Sequence, residues 1–282
     1  MNQEYVSGEL FSKLADVSIY ERSHINTFAN IKKNCNQIIY NNEPITNDIL
    51  EIINSSTIFF VKTDHLNFFT YNILPHIYKK FILITHNSDA LAGQHSAIYD
   101  NKFLIKWYGQ NMIPNYNIDK MIGIPIGLEN SQWKGYDYNI CKKYKTNVKE
   151  KLLYFNFSLT SNNERACVEK QLLENGFNRN KKTDWENYIK ELSTHKFAAS
   201  PEGNGIDCHR VWECIYVGCI PIVKKNIVMF EFFKELPILW VQDFKCITSD
   251  FLIEEYKLFQ GKNFNTEKAT MSYWNSIIRE IQ

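Results

Sequence analysis

Residues 196–223, KFAASPEGNGIDCHRVWECIYVGCIPIV, place a strand, a glycine loop, a helix and a second strand within 28 residues. HKFAAS (195–200) is an apolar run of strand type. Pro201, Gly203, Asn204 and Gly205 then break regular structure, so a loop follows. Asp207 is positioned to cap a helix, and Val211, Trp212, Ile215 and Tyr216 share a helical face until Gly218 ends it. CIPIV (219–223) returns to the sheet. A glycine loop that opens a helix offers unpaired backbone N–H groups and a positive dipole end to a phosphate oxygen. Arg210 falls in the first turn, where a cation is unfavourable, and clamping a diphosphate with its guanidinium offsets that placement. Glu213, three residues on, shares the face and can accept hydrogen bonds from two adjacent ribose hydroxyls. Ser200 and Glu202, at the strand end and in the loop, join Gly203, Asn204, Gly205 and Asp207 in the expected donor site. The plainer reading of Arg210 and Glu213 is a surface ion pair worth roughly 0.3 kcal/mol. The pattern G-x-G-x-x-G is absent, which argues against a nicotinamide site.

At these residues the chain resembles the exostosin-like glycosyltransferases, in which a glycine loop, an Arg and, three residues later, a Glu precede a G-x-I-P-V-like strand. Here those residues are Gly203, Gly205, Arg210, Glu213, Gly218, Ile220 and Pro221. The resemblance covers the C-terminal half. It implies an α/β, GT-B-like fold of two Rossmann-type doubly wound domains facing a central cleft. It further implies a nucleotide-diphosphate sugar held by the C-terminal domain, inversion at the anomeric carbon, and no required cofactor or metal. Fucosyltransferase-type enzymes of that fold carry a related arrangement, so a UDP-sugar is the first choice of donor and a GDP-sugar the second.

KLLYFNFSL (151–159) reads as a buried strand opening the second domain, followed by a helix over 162–175. Arg165 lies in that helix's first turn at the end of a strand, where doubly wound sheets place their ligands, and similar chains carry an Arg there. Its two readings are a donor-phosphate contact and a solvated helix residue.

In the N-terminal half, apolar runs at 57–62, 81–85, 103–107 and 121–128 alternate with helical stretches, notably 66–79, in the rhythm of an open parallel sheet. Asp64 and His65 follow the first run, and His86, Asn87 and Asp89 the second, which places both groups at carboxyl ends of strands. Inverting transfer needs a base for the acceptor hydroxyl, with Asp89 and His86 the first candidates and Asp64 and His65 the second. Each also has an ordinary role as a helix cap or turn partner. Trp107, with Gln110 and Asn111 just beyond its strand, reads either as an acceptor-sugar platform or as buried packing.

The chain has 282 residues, 44% of them hydrophobic, enough for two modest cores. The polar, basic stretch near 130–149 sets the expected division: an acceptor-side domain over 1–130, a linker over 131–149 and a donor-binding domain over 150–282. Segments 250–260 and 266–281 look helical, the last expected to pack back on the first domain. A net charge of +1 gives no whole-chain field for nucleic acid or an anionic membrane. A local basic cluster (Lys142, Lys143, Lys145, Lys149, Lys151) and a second (Arg179, Lys181, Lys182) read as solvated surface, or as the patch a hydroxymethylated DNA acceptor would need. A glycan is the principal acceptor expected. Seven cysteines without C-x-x-C, a polar start and no 18-residue apolar run point to a cytoplasmic chain with reduced thiols and no transmembrane segment. Animal exostosins differ in carrying a membrane anchor. Cys208, His209, Cys214 and Cys219 match no zinc spacing, and Asp-x-Asp is absent, so no metal site is expected. The rival class is a non-catalytic nucleotide- or glycan-binding module of the same fold.

Overall fold

The computed structural model describes residues 4–22, 37–115, 119–131 and 136–280. The chain divides into two compact units. The first holds Met1–Ile126, Asn130–Gln132 and Thr270–Gln282, and the second Gly127–Glu129 and Trp133–Ala269. Both are α/β with parallel sheets.

The first unit's strands are β1 (Val17–Tyr20), β2 (Gln37–Tyr40), β3 (Ile58–Lys62), β4 (Phe81–His86), β5 (Leu104–Gly109) and β6 (Met121–Gly123). They pair in parallel in the order β2-β1-β3-β4-β5-β6. All of β4, FILITH, is buried, as a central parallel strand covered on both faces must be. The order reverses between β1 and β3, and carboxyl ends diverge at such a point. Helices α1 (Gly8–Ser12), α2 (Asn47–Ser55), α3 (Leu66–Phe68) and α4 (Ser96–Tyr99) connect or flank these strands. The helix expected over 66–79 is shorter and composite. After α3 come a π turn (Phe69–Ile73) and a 3-10 turn (Leu74–His76), and Pro75 breaks the hydrogen-bond ladder there. The strand expected over 121–128 stops at Gly123, because Pro125 lacks an N–H to continue the ladder.

The stretch read as a linker contains α5 (Tyr138–Tyr144), which packs on two helices of the second unit; its residues 132–135 lie outside the described ones. β7 (Lys151–Tyr154) ends five residues early, where Phe155 turns its N–H to Asn180 Oδ1 instead of the sheet. Then follow α6 (Glu164–Glu174), α7 (Trp185–Leu192), β8 (His195–Ala199), α8 (His209–Val217), β9 (Ile220–Lys224), α9 (Ile227–Phe233), β10 (Leu239–Val241) and α10 (Ser249–Gln260). Leu153, Phe197, Ala199, Ile222, Leu239 and Val241 face one way and pack against Val168 and Leu172 of α6 and Leu252 of α10. The strand order β10-β9-β8-β7 runs without reversal. This departs from a doubly wound sheet, since no switch point arises here, and a ligand must be held by what stands at the strand ends. The last helix, α11 (Met271–Arg279), is counted with the first unit, where Trp274 packs edge-on against Phe11 and Tyr108. Ile281, the end of the expected helix, lies outside the described residues.

Candidate functional site

Beyond the carboxyl end of β7 the second unit opens a cavity of about 800 Å³. Tyr154 from β7, Trp185 and Tyr188 from α7, and Arg210 and Glu213 from α8 line it, together with the segment 156–159. α7 begins at Asp184, whose carboxylate accepts from Asn187 N, and its turns place Trp185 and Tyr188 three apart on one face. α8 ends at Gly218, whose φ of 71° only glycine adopts without strain.

Arg210 and Glu213 do not pair directly. The Tyr188 hydroxyl stands between them, donating to Glu213 Oε2 at 2.6 Å and accepting from Arg210 Nε at 3.2 Å. Burial, then the neighbouring carboxylate of Glu213, pushes the Tyr188 hydroxyl well above its usual range, so it stays a donor to Glu213. Burial opposes the charge on Arg210, but Tyr188 and Glu213 outweigh it and hold the guanidinium protonated. The guanidinium also lies over the rings of Tyr188, at 5.6 Å, and Tyr154, at 6.0 Å. These contacts use one of its five donors. Both Nη atoms of Arg210 and Oε1 of Glu213 have no hydrogen-bond partner among the described residues. A fixed cation and a fixed carboxylate oxygen, one helical turn apart, therefore border one cavity, and that pairing suits a ligand carrying both an anion and hydroxyls.

No protein-family model matches the chain, and none of the curated proteins matches it. Among solved structures, it is similar to an alpha-glucosyltransferase in complex with UDP-glucose and DNA containing an abasic site. The match covers 88% of this chain and 91% of that one, at 9% identity and a TM-score of 0.35. A likeness this distant assigns no residue, so the roles below rest on geometry.

The glycine loop does not line the cavity. Gly203 N donates to Gly205 O, Asn162 Nδ2 donates to Gly203 O, and Asn204 projects into solvent. Arg165 holds this loop rather than a phosphate. Its Nε donates to Glu202 O at 2.7 Å, Nη2 to Pro201 O at 3.2 Å, and Nη1 to Ser158 O and Ser161 Oγ at 3.1 and 2.7 Å. The fork is spent on three backbone carbonyls and one hydroxyl, and the side chain is buried. Ser200 is bound into the sheet through its N–H to Ile222 O, and Glu202 Oε1 accepts from Asn226. Asp207 is not the helix cap: Cys208 holds that position with no side-chain bond. Both Asp207 oxygens accept from Trp212 Nε1, at 2.9 and 3.0 Å, because the wholly buried indole needs an acceptor. Among the described residues no group of three or more His, Cys, Asp or Glu is placed to hold a metal ion.

His209, whose spacing matches no zinc site, instead ties the start of α8 to residues 127–129. Its Nδ1 donates to Gly127 O at 2.7 Å, and its Nε2 meets Glu129 Oε2 at 3.2 Å. Burial works against its charge, but the Glu129 carboxylate raises its pKa to about 9. The first basic cluster is largely consumed: Lys149 is half-buried on the carbonyls of Ser193 and Val217, Lys143 pairs with Glu186, and Lys151 with Glu191. In the second cluster Arg179 pairs with Glu169.

In the first unit, His86 is buried and both ring nitrogens are engaged, Nε2 with Pro125 O at 3.0 Å and Nδ1 with Asn87 Oδ1 at 3.1 Å. It is a structural histidine, which removes it as a base. His65 is likewise buried. Asp64 pairs with Lys62 at 2.6 Å and accepts from Ser88 Oγ; burial opposes its charge, but these partners hold its pKa below the usual value. Asp89 is exposed, and its carboxylate has no partner among the described residues. Trp107 is wholly buried and donates to Thr85 Oγ1, so it cannot stack on a sugar. Gln110 and Asn111 are buried too, Gln110 Oε1 accepting from Asn87 N and Asn111 Nδ2 donating to Asp89 O. Sequence reading missed Trp185, Tyr188 and Tyr136. The only available signal was the helix start at Asp184 ahead of β8.

Proposed function

We propose that the second unit binds a nucleoside-diphosphate sugar and that the chain, a GT-B-type glycosyltransferase, transfers the sugar to an acceptor hydroxyl. The reading is carried by one observation: the unengaged Nη groups of Arg210 and the free Oε1 of Glu213 border the same cavity, one turn apart on α8. Arg210 clamps the diphosphate and neutralises the charge that develops as it leaves. Glu213 accepts from the ribose hydroxyls, with its other oxygen anchored by Tyr188. The leaving-group charge is met by the Arg210 guanidinium, which serves in place of a metal ion. The acceptor attacks the opposite face with inversion and needs a base for its proton; of the candidates for that role, Asp89 is the one whose carboxylate is exposed and has no partner among the described residues. UDP is the first donor to test and GDP the second. A glycan is the favoured acceptor over DNA, since much of the basic surface is paired with carboxylates.

The test is turnover of UDP- and GDP-sugars, by hydrolysis and by transfer. Arg210→Ala is expected to lower kcat/KM by at least about 100-fold, the loss typical of a removed oxyanion donor. Glu213→Gln should raise the donor KM, and Asp89→Asn should lower kcat with KM unchanged. Full turnover in Arg210→Ala overturns the assignment. Tight donor binding without turnover on any acceptor would identify a non-catalytic binding module instead.

A further inference from the structure

At the amino ends of the first sheet's strands, away from Asp89, the lysines are arranged unlike the others of that unit. Lys13 and Lys62 pair with Glu9 and Asp64. The remaining described lysines of the unit, Lys79, Lys80, Lys102, Lys106 and Lys120, pair with no carboxylate among the described residues. Lys79 and Lys80 immediately precede β4, Lys102 stands just before β5, and Lys120 immediately precedes β6, and these three strands are neighbours. Lys106 reaches the same edge, because its ammonium donates to Asp119 O at 2.6 Å, while that of Lys120 donates to Asn101 O at 3.3 Å. Lys102 Nζ lies 4.9 Å from the Phe103 ring centre. Phe81 N donates to Phe103 O and Trp107 N to Lys120 O, which holds the three strand starts side by side. Paired strands lie about 4.8 Å apart, so the five stems leave an edge about 10 Å across. The carboxylates there do not neutralise them. Asp100 and Asp119 are exposed and pair with no lysine, and Asp16 accepts from Thr57 N and Ile58 N. Like charges on neighbouring strands are destabilising, and an anionic partner would relieve them. Directly before Lys79, the Tyr78 ring is 72% exposed.

We propose that this edge binds a single-stranded nucleic acid, with its phosphates on the five lysines and a base on Tyr78. An ammonium meets phosphate as a point charge and needs no fixed geometry, which suits a row of flexible side chains without acidic partners. The exposed ring beside them supplies a face on which any base can stack. An anionic membrane would call for a broad apolar face as well, and Tyr78 is the exposed large hydrophobic side chain next to these lysines. The six residues of β4 put about 20 Å between Lys80 and the carboxyl end of that strand, where Asp89 follows. The bound strand therefore lies away from that carboxylate, and the transferase reading stands or falls without it.

Fluorescence anisotropy of a labelled single-stranded oligothymidylate, titrated with the full chain over a series of salt concentrations, tests this. The wild type should bind, with log Kd rising linearly with log salt. The variant Lys79→Ala/Lys80→Ala/Lys102→Ala changes exposed side chains only. It should bind at least about tenfold more weakly at low salt, and its salt slope should fall by about 2, at roughly 0.7 per phosphate contact. Tyr78→Ala should bind about fivefold or more weakly with the slope unchanged, the loss of one stacked base. Lys181→Ala/Lys245→Ala, which removes exposed lysines of the second unit, should bind as the wild type does. A wild type that does not bind at low salt overturns the proposal, as does equal weakening in the two lysine variants. An unchanged Kd in Tyr78→Ala overturns the single-strand assignment. A wild type that ignores the oligonucleotide but sediments with phosphatidylserine vesicles overturns it too, and places a membrane on this edge instead.

Discussion

Arg165 shows how one side chain divides structural from chemical work. Its guanidinium meets three backbone carbonyls and one hydroxyl, bracing residues 201–202 against 158–161. Replacing it with alanine leaves buried carbonyls unpaired, and a loss of about 2–4 kcal/mol is expected in urea unfolding. Arg165→Lys should recover only part, since an ammonium cannot reproduce the planar fork. If Arg165 served the ligand instead, stability would hold and binding alone would fall. Arg210 and Glu213 were legible in the sequence because their i,i+3 spacing at a helix start fixes a shared face. Tyr188 was not, since a tyrosine on a helix gives no sign of the hydroxyl's partner. Arg165 was found but misread, because its spacing shows the strand end and not which carbonyls the loop brings to it. Trp107 misled for a related reason: a strand-end tryptophan has the same pattern whether it faces a ligand or fills a core.

At the scale of elements, α8 is held at its start by His209 between Gly127 O and Glu129. Its pKa is raised from 6.5 to about 9, so folding favours the protonated ring. The stabilisation is complete below about pH 6.5 and is lost as pH rises through about 9. Discounted for partial solvent contact, it is on the order of 1–2 kcal/mol. The wild type should therefore lose more stability than His209→Gln between pH 6.5 and 9, as measured by urea midpoints; parallel curves would contradict the assignment. Most strands were legible, because buried parallel strands are unbroken apolar runs such as FILITH. Their ends were not, since β7 stops where Asn180 supplies an acceptor from 25 residues away in sequence. The short helix α5 was hidden in a polar stretch for a similar reason: its only fully buried side chain is Cys141, too little to form a periodic pattern.

For the whole molecule, two parallel sheets of different order give two different settings for chemistry. The first sheet reverses between β1 and β3, while the second depends on α7 and α8 to build a cavity at its strand ends. Among the described residues no helix is long and apolar enough to cross a membrane. The alternation of strands and helices made the α/β class readable, but strand order depends on pairings across the chain that no local pattern carries. The central claim is that Arg210 and Glu213 border a nucleoside-diphosphate site, and the most direct test is thermal unfolding of the wild type and Arg210→Ala with UDP and GDP. At 100 times its Kd a ligand stabilises by about 2.7 kcal/mol, so the wild-type Tm should rise by a few degrees and the variant's should not. No rise with either nucleotide, or an equal rise in the variant, would contradict it.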